Sequence, residues 1–193
     1  MDSRIVKRKL TRQKRKTQTC KVYEVKVDKS SLSKSTANHL YRLFLESKWF
    51  YNHCLSQPEI FKVDTTINNV PVKVKDIFEI RDLTVLSSQM KQAVATRLRD
   101  SVISLNRLKK KGHKVGRLKF KSKSNSVPLK QYQNSYSIDF ENNRIRLQGL
   151  KPLLKVRGLE QISQNSEIAN AVLLRKADGY YFKITTYADK VEK

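Results

Sequence analysis

The chain has 193 residues, 41 of them Lys or Arg and only 17 Asp or Glu, for a formal net charge of +24. Self-repulsion on that scale disfavours a compact chain without a bound counter-charge, so a polyanion is expected as partner, nucleic acid before anionic membrane. No run approaches the roughly 18 consecutive apolar residues of a membrane span. The first residues lack the apolar stretch of a secretory signal. Cys20 and Cys54 lack CxxC spacing, so reduced thiols in a cytoplasmic protein are expected, with neither zinc nor a disulfide framework.

Met1 to Gln18 is dense in Lys and Arg and has only two aliphatic spots. Such a segment buries too little apolar surface to offset its ordering entropy, which predicts a basic disordered arm over 1–18 that orders on RNA or DNA. A nuclear-localisation signal suits the same composition. Thr19 to Val27 alternates, with Tyr23, Val25 and Val27 on one face, and predicts a strand within 19–29. Polar Ser30 to Ser35 offers N-caps. Leu40, Leu43, Phe44, Ser47, Tyr51, Cys54 and Leu55 follow a helical period that ends near Pro58. Trp49 and Phe50 broaden its buried face. His39 and His53 have no partner at metal spacing and read as structural or surface groups. Val70, Val72 and Val74, then Ile77, Phe78 and Ile80, predict a short hairpin near 70–81 that turns at Asp76.

The most informative stretch runs from Leu83 to Lys123. Leu86, Met90, Val94, Leu98, Val102, Leu105 and Leu108 recur at steps of three and four, the period of one apolar helix face. Ser87 or Ser88 supplies the N-cap, and Gly112 the left-handed stop. Arg107, Lys109, Lys110 and Lys111 stand beside the negative pole of the helix dipole. Lys114, Arg117, Lys119, Lys121 and Lys123 carry the charge on into a predicted loop and strand. No Asp or Glu occurs between Asp100 and Asp139. A solvated helix face mixes both signs, so these nine cations are the candidate RNA and phosphate contacts.

Beyond Lys123, a loop over Ser124 to Pro128 leads into strands. Tyr136, Ile138 and Phe140 alternate, turn at Asn142-Asn143, and return through Ile145 and Leu147. Lys155 to Arg157 is a further short strand. Ala171 to Arg175 and Tyr180 to Tyr187 predict a hairpin with a type I′ turn at Asp178-Gly179. The fold class expected is α+β: a small antiparallel barrel, closed by the first strand against the last ones, with the helices of 30–118 inserted and 119–190 completing the barrel. The acids form no convergent site in the sequence. Asp100 sits among arginines on the long helix, Asp139 in an alternating strand, Asp178 in a turn. There is no Ser/His/Asp order, no Gly-rich phosphate loop and no H-E-x-x-H, and no cofactor is expected.

Five segments fall in a telling order: WFYNHCL (Trp49–Leu55), LSSQMKQAV (Leu86–Val94), KKKGHKVGRLKFKSK (Lys109–Lys123), NRIRLQGLKPLLKVRG (Asn143–Gly158) and ADGYYFKI (Ala177–Ile184). That order resembles the amino-terminal half of TnpB, also called OrfB, the RNA-guided nuclease family of insertion sequences related to type V CRISPR effectors. The resemblance spans roughly Thr19 to Asp189. It implies an oligonucleotide-binding-like (OB-like) wedge barrel with a helical recognition lobe inserted after its first strand. It implies guide-type non-coding RNA and double-stranded DNA as partners, and no membrane. It also implies that Gln92 contacts a short target-adjacent DNA motif, with Ser88 and Lys91 on its phosphates and Gln133 and Asn134 facing the same duplex. Glutamine can bond adenine through two groups in the major groove, which suits that role.

Family members continue into a RuvC nuclease, whose carboxylates hold two metal ions, and end in a Cys-rich zinc ribbon. The sequence here stops at Lys193, about where RuvC would begin. The expectation is therefore a nucleic-acid-binding, nuclease-less fragment, not an enzyme on its own. Two rivals stand beside it: one half of a split nuclease whose RuvC domain is on another chain, and a structural RNA-binding protein.

Overall fold

The computed structural model describes residues 3–190. In chain order they form helix α1 (Ser3–Lys16), strand β1 (Gln18–Val27), helix α2 (Lys34–Ser56), strands β2 (Asn69–Val74) and β3 (Ile77–Asp82), and helix α3 (Ser88–Lys110). Strands β4 (Ser126–Leu129), β5 (Tyr136–Asp139), β6 (Arg144–Leu147), β7 (Leu154–Arg157), β8 (Glu167–Lys176) and β9 (Gly179–Asp189) follow. The fold is α+β. Seven antiparallel strands in the order β4-β8-β9-β1-β7-β6-β5 make a barrel-like, nearly closed sheet, while β2 and β3 pair apart as a hairpin.

Strand β1 lies at the middle of the sheet. It pairs with β9 from Gln18↔Asp189 to Lys26↔Tyr181, and with β7 at Lys26↔Arg157 and Val27↔Val156. Val25 and Val27, with Leu154 and Val156, Leu173, Phe182 and Ile184, point to the inside and are buried. Their alternation with exposed residues is the period-2 pattern of a sheet with one wet face. Helices and sheet share one core: Leu40, Phe44 and Phe50 of α2 and Met90, Val94 and Leu98 of α3 belong to the same buried cluster as the strands.

Both long helices are capped as their sequences dictate. The Ser33 side chain accepts from the Thr36 N–H, and Ser87, not Ser88, accepts from the Met90 N–H. Buried Glu46 of α2 ties the two helices together. Its carboxylate accepts from the backbone N–H groups of Thr84 (2.9 Å), Val85 (2.9 Å) and Leu86 (2.8 Å), from the Thr84 hydroxyl (3.0 Å) and from Arg42 Nε (2.7 Å). The loop entering α3 is held by one side chain.

Four expectations need correction. The basic segment predicted to be disordered is helical over Ser3–Lys16. Lys and Arg are good helix formers, and the last turn is pinned to the sheet: Lys14 and Arg15 bond Glu167 at 2.9 and 2.5 Å, and Arg15 lies 3.6 Å above the Tyr187 ring. Arg15 first and then Lys14 hold the Glu167 carboxyl down at about 2. Of Ser124 to Pro128, expected as loop, the last three residues belong to strand β4 (Ser126–Leu129); Pro128 is tolerated because β4 is an edge strand. Residues 113–125, part of which was expected as a basic strand, form no strand, and the Asn125 carbonyl at their end accepts from the Arg175 N–H of the sheet at 2.9 Å. The β8–β9 turn is not type I′. Lys176 pairs with Gly179, so Ala177 and Asp178 form the loop, and of these three only Gly179 has positive φ (148°).

Candidate nucleic-acid interface

The apolar stripe of α3 is buried as far as Leu98; Val102 and Leu105 are half-buried and Leu108 is exposed. The helix thus carries its last two turns beyond the core, with Arg107, Lys109 and Lys110 on them. Gly112 (φ 82°) ends it, and the N–H groups of Gly112 and His113 return to the carbonyls of Lys109 (3.0 Å) and Leu108 (3.1 Å). The chain then runs back across the body of the protein. Asn52 of α2 clamps it from both sides, donating to the Lys121 carbonyl at 2.9 Å and accepting from the Lys121 N–H at 2.8 Å. A peptide group held this way is positioned as firmly as in a sheet ladder, without a strand.

Arg107, Lys109, Lys110, Lys111, Lys114, Arg117, Lys119 and Lys123 are all exposed. Among the described residues none of them is in an ion pair. Lys121 differs: it is partly buried, its ammonium sits 3.9 Å above the Tyr51 ring, and burial, with Arg97 nearby, lowers its pKa. Beside this run opens a groove of about 630 Å³, floored by Leu55, Ile60, Val102, Leu105 and Leu118 and edged by Lys109, Lys114 and Arg117. Three of the acids that pair lie at the sheet: Asp28 with Arg157, Asp178 with Lys26, Glu24 with Lys176. The Ser30 N–H and Arg157 hold Asp28 at about 2, the backbone bond contributing most. Among the described residues, no group of three His, Cys, Asp or Glu side chains is placed to share a metal ion.

The expected DNA-contact residues fare unequally. Ser88 and Gln92 are exposed on the first turns of α3, and the Gln92 side chain makes no hydrogen bond within the described residues. Gln133 (φ 70°) and Asn134 are exposed in the tight turn between β4 and β5, where the Gln133 N–H bonds the Tyr136 carbonyl at 2.8 Å and the Gln133 carbonyl accepts from Arg146 at 3.0 Å. Lys91 does not fit a phosphate contact. It is 2% exposed, and its ammonium donates to the Ile67 carbonyl (2.6 Å) and Asn68 Oδ1 (3.3 Å). Burial lowers its pKa against the pull of Glu46 and Asp64. Its head fastens the segment ahead of the hairpin. Lys91→Ala is therefore expected to lower stability by about 1–3 kcal/mol through loss of the charged hydrogen bond to the Ile67 carbonyl, with polynucleotide affinity unchanged per folded molecule. Urea unfolding and binding measured side by side check this.

Sequence reasoning missed Asn52 and Glu46 of α2, whose partners Lys121 and Thr84–Leu86 reach them only in the fold. No protein-family model matches the chain, and no curated protein does.

Proposed function

We propose that the chain is a nucleic-acid-binding module that holds a structured guide-type RNA along the cationic run of 107–123 and reaches a short duplex DNA motif through the first turns of α3. This is the role that the TnpB/OrfB resemblance implies, with the barrel-like sheet as an OB-like wedge and the helices as the recognition lobe. In this reading the chain binds and does not cut. The carrying observation is eight exposed cations, Arg107, Lys109, Lys110, Lys111, Lys114, Arg117, Lys119 and Lys123, with no carboxylate paired to any of them among the described residues. Leaving so many like charges unpaired on one stretch is costly unless phosphates neutralise them.

The test is binding of the RNA that co-purifies with the full chain, titrated with salt. If ~6–10 phosphates are contacted, affinity falls by about three to five decades between 50 and 200 mM salt. Affinity that ignores salt would remove the reading. The DNA arm has its own experiment, a binding series over randomised short duplexes with the RNA-bound protein. Gln92→Ala is expected to cost about 1–3 kcal/mol at one preferred base and to leave RNA affinity intact. Base preferences identical to the parent's would mean that α3 reads no sequence.

A further inference from the structure

We propose that the small cleft where Lys123 meets α2 and the end of β8 holds one unpaired base of the bound strand, stacked on Tyr41; this rests on the nucleic-acid reading above. The cleft measures about 130 Å³ and is lined by Tyr41, Phe44, Leu45, Lys48, Lys123 and Arg175, together with two serines. Tyr41 is 54% exposed on a helix whose neighbouring Leu40, Leu43 and Phe44 are buried. Its hydroxyl makes no hydrogen bond among the described residues.

Arg175 is held in place beside it. Its backbone N–H donates to the Asn125 carbonyl at 2.9 Å, and its guanidinium reaches Asn125 Oδ1 at 3.4 Å. The guanidinium carbon lies 5.7 Å from the centroids of both the Tyr41 and Phe44 rings. Tyr180 stacks on Phe44, 6.0 Å away and nearly parallel, and Phe44 is buried, so the floor of the cleft is packed from within. Among the described residues no carboxylate pairs with Lys48, Lys123 or Arg175.

An exposed ring, an apolar floor and three unpaired cations together select a ligand. A free phosphate would leave the ring unused, and an apolar peptide would leave the cations unused. A nucleotide uses both, with its base on Tyr41 and its phosphates on Lys48 and Lys123. Lys123 is also the last cation of the basic run, so a strand following that run arrives at this cleft. A base inside a duplex already has both faces covered by its neighbours. The base taken here must therefore be unpaired.

The test uses the full chain, a short single-stranded RNA and a duplex of the same length, measured by fluorescence anisotropy. A 2-aminopurine in the single strand reports stacking. Tyr41→Ala is expected to weaken single-strand binding about ten-fold and restore 2-aminopurine fluorescence, whereas Tyr41→Phe stays within about two-fold of the parent. Duplex affinity and the salt slope are expected to stay as in the parent. Unchanged melting temperatures of the variants show that folding is not the cause. If Tyr41→Ala binds the single strand as the parent does, or loses both ligands equally, the base site is wrong and the nucleic-acid reading stands. If the parent binds neither ligand in a salt-dependent way, both fall together.

Discussion

Lys109, Lys110, Lys111 and Lys114 replaced together by glutamine are expected to lower the salt slope of RNA binding by roughly three units, about 0.7–0.9 for each phosphate that is no longer neutralised. The deficit is then largest at low salt, where counterion release contributes most, and shrinks as salt rises. All four side chains are exposed and none is ion-paired among the described residues, so the exchange removes charge without removing packing. Removing cations beside the α3 C-terminus costs about 0.3–1 kcal/mol of helix-dipole interaction. The backbone cap through Gly112 and His113 remains. Relief of repulsion between three consecutive lysines offsets part of that cost. A slope identical to the parent's would move the RNA site elsewhere, with the basic helix α1 as the next place to substitute.

Glu46→Ala is expected to destabilise the protein by about 3–5 kcal/mol, the usual cost of deleting one partner of a buried ionic network. Three backbone N–H groups, those of Thr84, Val85 and Leu86, lose their acceptor at once, and among the described residues no other acceptor is bonded to them. Glu46 is fully buried while its ion-pair partner Arg42 is 40% exposed, so Arg42 recovers solvation and the amide of buried Leu86 does not. For a chain of this size about 4 kcal/mol corresponds to a fall of roughly 8–16 °C in melting temperature. Glu46→Gln keeps one acceptor oxygen and is expected to fall between the two. A loss below about 1 kcal/mol in urea unfolding would mean that water replaces the carboxylate, against the burial described.

Much of the fold was legible in the sequence because most elements carry their own period. Tyr23, Val25 and Val27 mark β1, and the spacing from Leu86 to Leu98 marks the packed half of α3. The stripe as far as Leu108 was misleading, because periodicity shows which face is apolar and not where the neighbouring sheet ends. Lys91 was misassigned for a related reason: a lysine is expected at the surface, and its bonds to the Ile67 carbonyl and Asn68 Oδ1 form only on folding. The anchoring of α1 depends on Glu167, some 150 residues away, which composition cannot reveal. The cationic run was legible because an acid-free stretch is a property of sequence alone. Asn52 and Tyr41 were not, since their meaning comes from Lys121 and Arg175, which reach them only after folding.

The pairing of β1 with β9 sets a timetable for the chain on the ribosome. β1 is made early, yet most of its ladder belongs to a strand that follows it by roughly 150 residues. At about 5–20 residues per second, that partner emerges about 8–30 s later. Through that interval β1 offers bare N–H and C=O groups and the apolar side chains of Val25 and Val27, the features from which misassembly starts. Bringing strands so distant in sequence together also carries the loop-closure entropy that slows folding of non-local sheets. The sheet is therefore among the last parts of the molecule to form. The dense positive charge around β1 keeps nascent copies apart while it waits.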